Sequence, residues 1–177
     1  MVTETRVPWV VHVYRVPREP SAPRIAIWRR MRALGVAQLG DGIVALPEDA
    51  RTREHLEWLA DQVLEAGGTA LLMRAQTLTR TDEQHLAQSM ATARAEEYES
   101  VRTAAIAART GEAAERRRVL KRLRREMRAA QRRDYFPPAE RDAAHAALAA
   151  LADTTTDDEP VTATAGVTTR TRGGEGS

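Results

Sequence analysis

The chain has 177 residues, room for one domain of ordinary size and a tail, with 42% apolar and 29% charged residues and a formal net charge of +2. It contains no cysteine, which excludes disulfides, thiolate metal sites, iron–sulfur clusters and a cysteine nucleophile. No window approaches the roughly 18 consecutive apolar residues of a transmembrane helix.

The start, Met1-Val2-Thr3-Glu4-Thr5, lacks the basic residues and apolar run of a signal peptide, so a cytoplasmic location is expected. Between Pro8 and Pro17, Trp9 to Val16 is rich in β-branched and aromatic residues and apolar at nearly every position. This pattern predicts a central strand covered on both faces. Prolines 17, 20 and 23 then set a rigid connection, with Ser21 as the expected N-cap of a helix that admits Pro23 in its first turn. Ile27, Met31 and Leu34 share one face of that helix, and Gly35 closes it.

Val36–Leu39 and Ile43–Leu46 are short apolar runs joined by Gly40-Asp41-Gly42, a hairpin signal. Leu56, Leu59, Ala60 and Val63 mark a second amphipathic helix from about Thr52 to Ala66, ended by Gly67-Gly68, and Thr69 to Arg74 reads as a last strand. The fold class is therefore α+β, with a ferredoxin-like β-α-β-β-α-β core over residues 1–78. Right-handed crossovers put both helices on one sheet face, leaving the other to be covered or to bind.

Residues 79–152 change character and predict three thin-striped helices packed on each other and on the core. The first opens at a capping box with Thr81 as N-cap and carries Met90, Tyr98, Val101 and Ile106 on its stripe. A second, Glu112 to Arg133, has Leu120, Leu123 and Met127 as its seam. A third, Ala139 to Ala152, turns Ala144, Leu148 and Leu151 inward. Residues 153–177 have little to bury and read as a disordered tail.

Charge is strongly segregated. Six arginines between Arg15 and Arg32 face only Glu19, a local +5, and ten basic residues between Glu112 and Arg133 face three glutamates, a local +7. On the basic helix, Arg116, Arg117, Lys121, Arg124, Arg125 and Arg128 are candidate contacts to nucleic-acid phosphates. The alternative is a solvated face paired with Glu96, Glu97 and Glu99 on the preceding helix. Arg15, Arg18, Ser21 and Arg24 surround the proline-rich connection and a helix N-terminus, a set suited to a phosphate or tetrahedral oxyanion. The competing reading is a rigid crossover whose arginines bond nearby carboxylates and carbonyls.

His12, His55, His85 and His145 are far apart without metal-ligand spacing, so no metal is expected, and Asp41 fits turn geometry alone. Trp9, Trp28 and Trp58 read as core or interface anchors. Nucleophile-elbow, Walker and dinucleotide motifs are all missing, so neither catalysis nor a cofactor is expected.

The segment Tyr14-Arg15-Val16-Pro17-Arg18-Glu19-Pro20-Ser21-Ala22-Pro23-Arg24-Ile25-Ala26-Ile27-Trp28-Arg29 resembles the N-terminal domain of the chromate-resistance regulator ChrB. The likeness continues through Leu34-Gly35, Asp41-Gly42, Glu57-Trp58-Leu59, Gly67-Gly68, Glu96-Glu97-Tyr98 and Asp134-Tyr135-Phe136-Pro137, over roughly residues 8–152. It implies chromate-responsive regulation with DNA binding. Longer family members carry a C-terminal chromate-resistance domain, so a partner protein supplying that domain is expected.

Two function classes follow. One is a regulatory nucleic-acid-binding protein, homodimeric through its sheet face. The other is a chromate-binding or protein-docking module without DNA affinity. Without a thiol, any chromate response rests on recognising the anion.

Overall fold

Trp9–Arg15 forms the first strand, β1, in the computed structural model, which describes residues 7–156. Helix α1 (Ser21–Leu34), strands β2 (Ala37–Gly40) and β3 (Ile43–Pro47), helix α2 (Ala50–Glu65) and strand β4 (Thr69–Ala75) follow it. Helices α3 (Arg80–Ala108), α4 (Ala113–Gln131) and α5 (Glu140–Thr156) come last. Helix and sheet are thus mixed, and the four strands form one antiparallel sheet in the order β2-β3-β1-β4.

β1 is central. Val11 pairs with Ala45 on one side and Met73 on the other, while His12 pairs with Val44 and Leu72. Strand alternation sends Val11 and His12 to opposite faces, and Trp9 to His12 are all buried, which is the double coverage that an unbroken apolar run predicts. Ile27 and Met31 of α1 and Leu56, Leu59 and Val63 of α2 join the strands in one hydrophobic cluster.

The helical part closes over one sheet face only in part. Met90 of α3 enters the cluster, and the Phe136 ring lies 6.0 Å from the Trp9 ring. Met73 and Leu71, the β4 partners of Val11 and Val13 on that same face, remain 41% and 56% exposed. A second cluster joins Tyr98 and Val101 of α3, Leu120, Leu123 and Met127 of α4, and Ala144, Leu148 and Leu151 of α5. The segment between α4 and α5 is fastened to the first cluster where the Tyr135 hydroxyl donates to the Leu34 carbonyl at 3.3 Å, beside the left-handed Gly35 that ends α1.

Several boundaries differ from expectation. Pro20, extended at φ −68° and ψ 148°, is the N-cap of α1, so Ser21 is its first helical residue and caps nothing with its side chain. Pro23 is accommodated because first-turn amides lack intrahelical acceptors. α3 starts one residue before Thr81. Its cap is Thr79, whose hydroxyl oxygen accepts from the Asp82 amide at 3.1 Å. α5 continues to Thr156 rather than ending at Ala152, with the Thr154 and Thr155 hydroxyls donating back to the Leu151 carbonyl. Residues 157–177 of the expected tail lie outside the described residues. Ala105 takes the buried position on α3, and Ile106 turns outward.

Candidate functional site

Arginine surfaces occur at two places. The first is a cleft of about 800 Å³ at the C-terminal end of β1, between the start of α1 and the β2–β3 turn. The strand contributes Tyr14, Arg15 and Val16, the helix contributes Arg24, Ile25, Trp28 and Arg29, and the turn contributes Asp41 and Gly42. Helical spacing explains the middle group, since Arg24 and Trp28, and likewise Ile25 and Arg29, are four residues apart. The turn is held to β1 by the Tyr14 amide, which donates to the Gly42 carbonyl at 2.7 Å.

Two of its three walls are cationic, with Arg15 on the strand and Arg24 and Arg29 on the helix, while the turn carries Asp41. Arg15, Arg24 and Arg29 are exposed and have no hydrogen bond or ion pair among the described residues. Burial pushes the Tyr14 hydroxyl pKa up, and the Asp41 carboxylate raises it further, so the phenol stays protonated. Arg18 and Ser21 are exposed on the same connection but do not line the cleft. Of the four residues predicted for an anion site, the fold brings together two.

Trp28, Arg29, Tyr14 and Asp41 are the members that sequence reasoning did not assign to a site. Trp28 is half exposed rather than a core anchor, with the Arg32 guanidinium 5.0 Å from its ring centroid. The arginine–tryptophan spacing along α1 was the available signal. Trp58 is also exposed, under Arg30 at 5.5 Å, whereas Trp9 is the one tryptophan in the core.

The second surface is the flank of α4 that borders α5. Burial of Leu120, Leu123 and Met127 fixes the helix rotation. Arg117, Lys121, Arg124 and Arg128 then fall at i, i+4, i+7 and i+11, one stripe. With Thr155 and Thr156 of α5 they line a groove of about 550 Å³. Arg125 is exposed beside the stripe. Arg116 is only half exposed and bonds the Gly111 carbonyl, so it does not join them.

Pairing with the acidic helix is limited. Arg133 bonds Glu97 at 2.6 Å, Arg118 pairs with Glu115 inside α4, and Arg122 lies 3.9 Å from Glu126. Arg117, Lys121, Arg124, Arg125 and Arg128 have no ion-pair partner among the described residues.

A polar knot is made by two motifs of the family resemblance. Tyr98, fully buried, donates to Asp134 Oδ2 at 2.7 Å. Arg94 and Arg133 both reach Glu97, at 3.0 and 2.6 Å. Desolvation raises the Tyr98 pKa and its hydrogen bond to Asp134 raises it further, while burial lowers that of Arg94. The Asp134 side chain is almost wholly buried, and Arg141 is its nearest cation at 3.8 Å. Tyr98→Phe strips that carboxylate of its best donor, so chemical denaturation should show a loss of about 1–3 kcal/mol. An unchanged midpoint would mean that Arg141 replaces the bond.

Among the described residues no three His, Asp or Glu side chains group to hold a metal ion, and no helix is long and apolar enough to cross a membrane. Fold and site together define an α+β protein that presents uncompensated arginines on a cleft and on one helix face. The chain belongs to the ChrB N-terminal family: the family model described as "Protein ChrB, N-terminal" matches residues 24–163. That match starts inside α1, so the proline-rich connection before Arg24 lies outside it. Membership points to a regulatory protein related to chromate resistance. No curated protein and no solved structure matches the chain.

Proposed function

We propose that this chain is a chromate-resistance regulator that binds nucleic acid through the stripe Arg117–Lys121–Arg124–Arg128, with Arg125 alongside. The carrying observation is that these five cations are exposed without ion-pair partners among the described residues, although acidic segments flank α4 in sequence. Segregated charge with no internal counterion is what a polyanion neutralises, releasing its own condensed counterions. The strand order and the β-α-β-β-α-β succession support reading the first unit as ferredoxin-like, a rigid base for the helical layer.

The test is affinity for a duplex from the upstream region of its own gene, measured at several salt concentrations. The logarithm of affinity should fall linearly with the logarithm of salt. Arg117→Gln with Arg124→Gln should weaken binding and reduce that slope by about 2, one for each phosphate left without its cation. Salt-independent binding, or an unchanged slope in the double variant, would discard the α4 surface.

A further inference from the structure

The cleft at the end of β1 asks for a different ligand from the α4 stripe, because half of its lining is apolar or aromatic. Val16, Ile25 and the half-exposed Trp28 stand beside Arg15, Arg24 and Arg29. A volume of about 800 Å³ lies within the range of roughly 300–1,000 Å³ typical of small-molecule sites. A bare tetrahedral oxyanion would occupy a small part of it and leave the indole and the aliphatic wall facing water. An anion with a planar body uses both halves.

We propose that this cleft binds a nucleotide, with the base against Trp28 and the phosphate among Arg15, Arg24 and Arg29. Three guanidiniums around one cleft, with Asp41 as the single carboxylate of the lining, favour a multivalent anion. Arg32 lies over the Trp28 ring and holds it from outside the cleft, since Arg32 is not part of the lining. Stacking on such a ring is tolerant of base identity. Asp41 accepts from a sugar hydroxyl or an exocyclic amine, and the protonated Tyr14 hydroxyl can donate. The nucleotide is either free or part of a single strand, and both present the same chemistry.

Calorimetric titration of the full chain with AMP, ribose 5-phosphate, adenosine, chromate and an eight-nucleotide single strand tests the proposal. AMP should bind at least roughly 10-fold tighter than ribose 5-phosphate or adenosine, because base stacking and phosphate contacts act together. Trp28→Leu and Arg24→Gln should each weaken AMP by roughly 10-fold, and Trp28→Phe should restore part of the loss. Trp58→Leu, at the other exposed tryptophan, should change nothing. Binding of the strand but not of AMP assigns the cleft to single-stranded nucleic acid where Trp28→Leu weakens it and the Arg117→Gln, Arg124→Gln double variant does not; strand binding lost only in that double variant belongs to α4 and overturns the proposal. Equal binding of AMP and ribose 5-phosphate, chromate alone, or no binding by either AMP or the strand overturns it. The Arg117→Gln, Arg124→Gln double variant should leave AMP binding intact, so failure of the α4 surface and failure of this cleft are read separately.

Discussion

Gly42→Ala is expected to destabilise the chain by about 2–4 kcal/mol, the sum of a strained backbone and an overpacked contact. Gly42 has φ +72°, and a Cβ built there would lie 2.3 Å from the Tyr14 carbonyl oxygen. That oxygen belongs to backbone, so no side chain can swing away. The collision would push the β2–β3 turn off β1 and lengthen the 2.7 Å bond from the Tyr14 amide to the Gly42 carbonyl. For a chain of this size the loss corresponds to a fall in Tm on the order of 5–15 °C. Gly67 separates the two contributions, since its φ is +73° but nothing lies within 4 Å of its Cβ position. Gly67→Ala should cost only the backbone strain, about 1–2 kcal/mol. Gly40→Ala, with open space around it, serves as the neutral control. Equal Tm values for the Gly42 and Gly67 variants would show that the turn moves freely. Because Gly42 also lines the cleft, its variant should lose nucleotide binding more steeply than its stability loss alone predicts.

Most of the fold was legible in the sequence because the strong signals were local. An unbroken run of β-branched and aromatic residues marked β1 as central, and the seams of α4 and α5 came from periodicity alone. Errors fell where a neighbouring residue offered the better terminal geometry. Pro20 displaced Ser21 as a cap, and Thr79 displaced Thr81. The threonines after Asp153 looked like tail because they bury little, yet their hydroxyls bond carbonyls one turn back and extend α5. The arginine surfaces were visible as charge excess, but the meeting of Trp28 with Arg15 across α1 and β1 depends on tertiary packing. Likewise Glu96-Glu97-Tyr98 and Asp134-Tyr135-Phe136-Pro137, motifs about 36 positions apart, proved to be two halves of one buried polar contact.

Lowering the pH from 7 to 4 should remove about 3 kcal/mol of stability through His12 alone. The ring is fully buried on β1, paired with Val44 and Leu72, and neither ring nitrogen has a hydrogen-bond partner among the described residues. Desolvation therefore lowers its pKa from 6.5 to about 4. Above pH 6.5 the ring is neutral in both states, and the folded chain keeps its full stability. Between 6.5 and 4 the unfolded chain takes up a proton that the folded chain refuses, so stability falls by about 1.4 kcal/mol per pH unit. Below about pH 4 both states are protonated and the slope from this group ends. The Glu48 carboxyl, held below its ordinary 4.5 by hydrogen bonds to Arg74 and Arg53, acts only in the more acid range and does not overlap most of this window. His12→Leu removes the effect and two unpartnered polar atoms together. Urea titrations at pH 7, 5.5 and 4.5 should give a sloping series for the parent and a nearly flat one for the variant, with the variant at least as stable at pH 4.5. A variant that keeps the parent's slope would mean that the acid sensitivity belongs to carboxylates, and that the β1 core admits a charged imidazole.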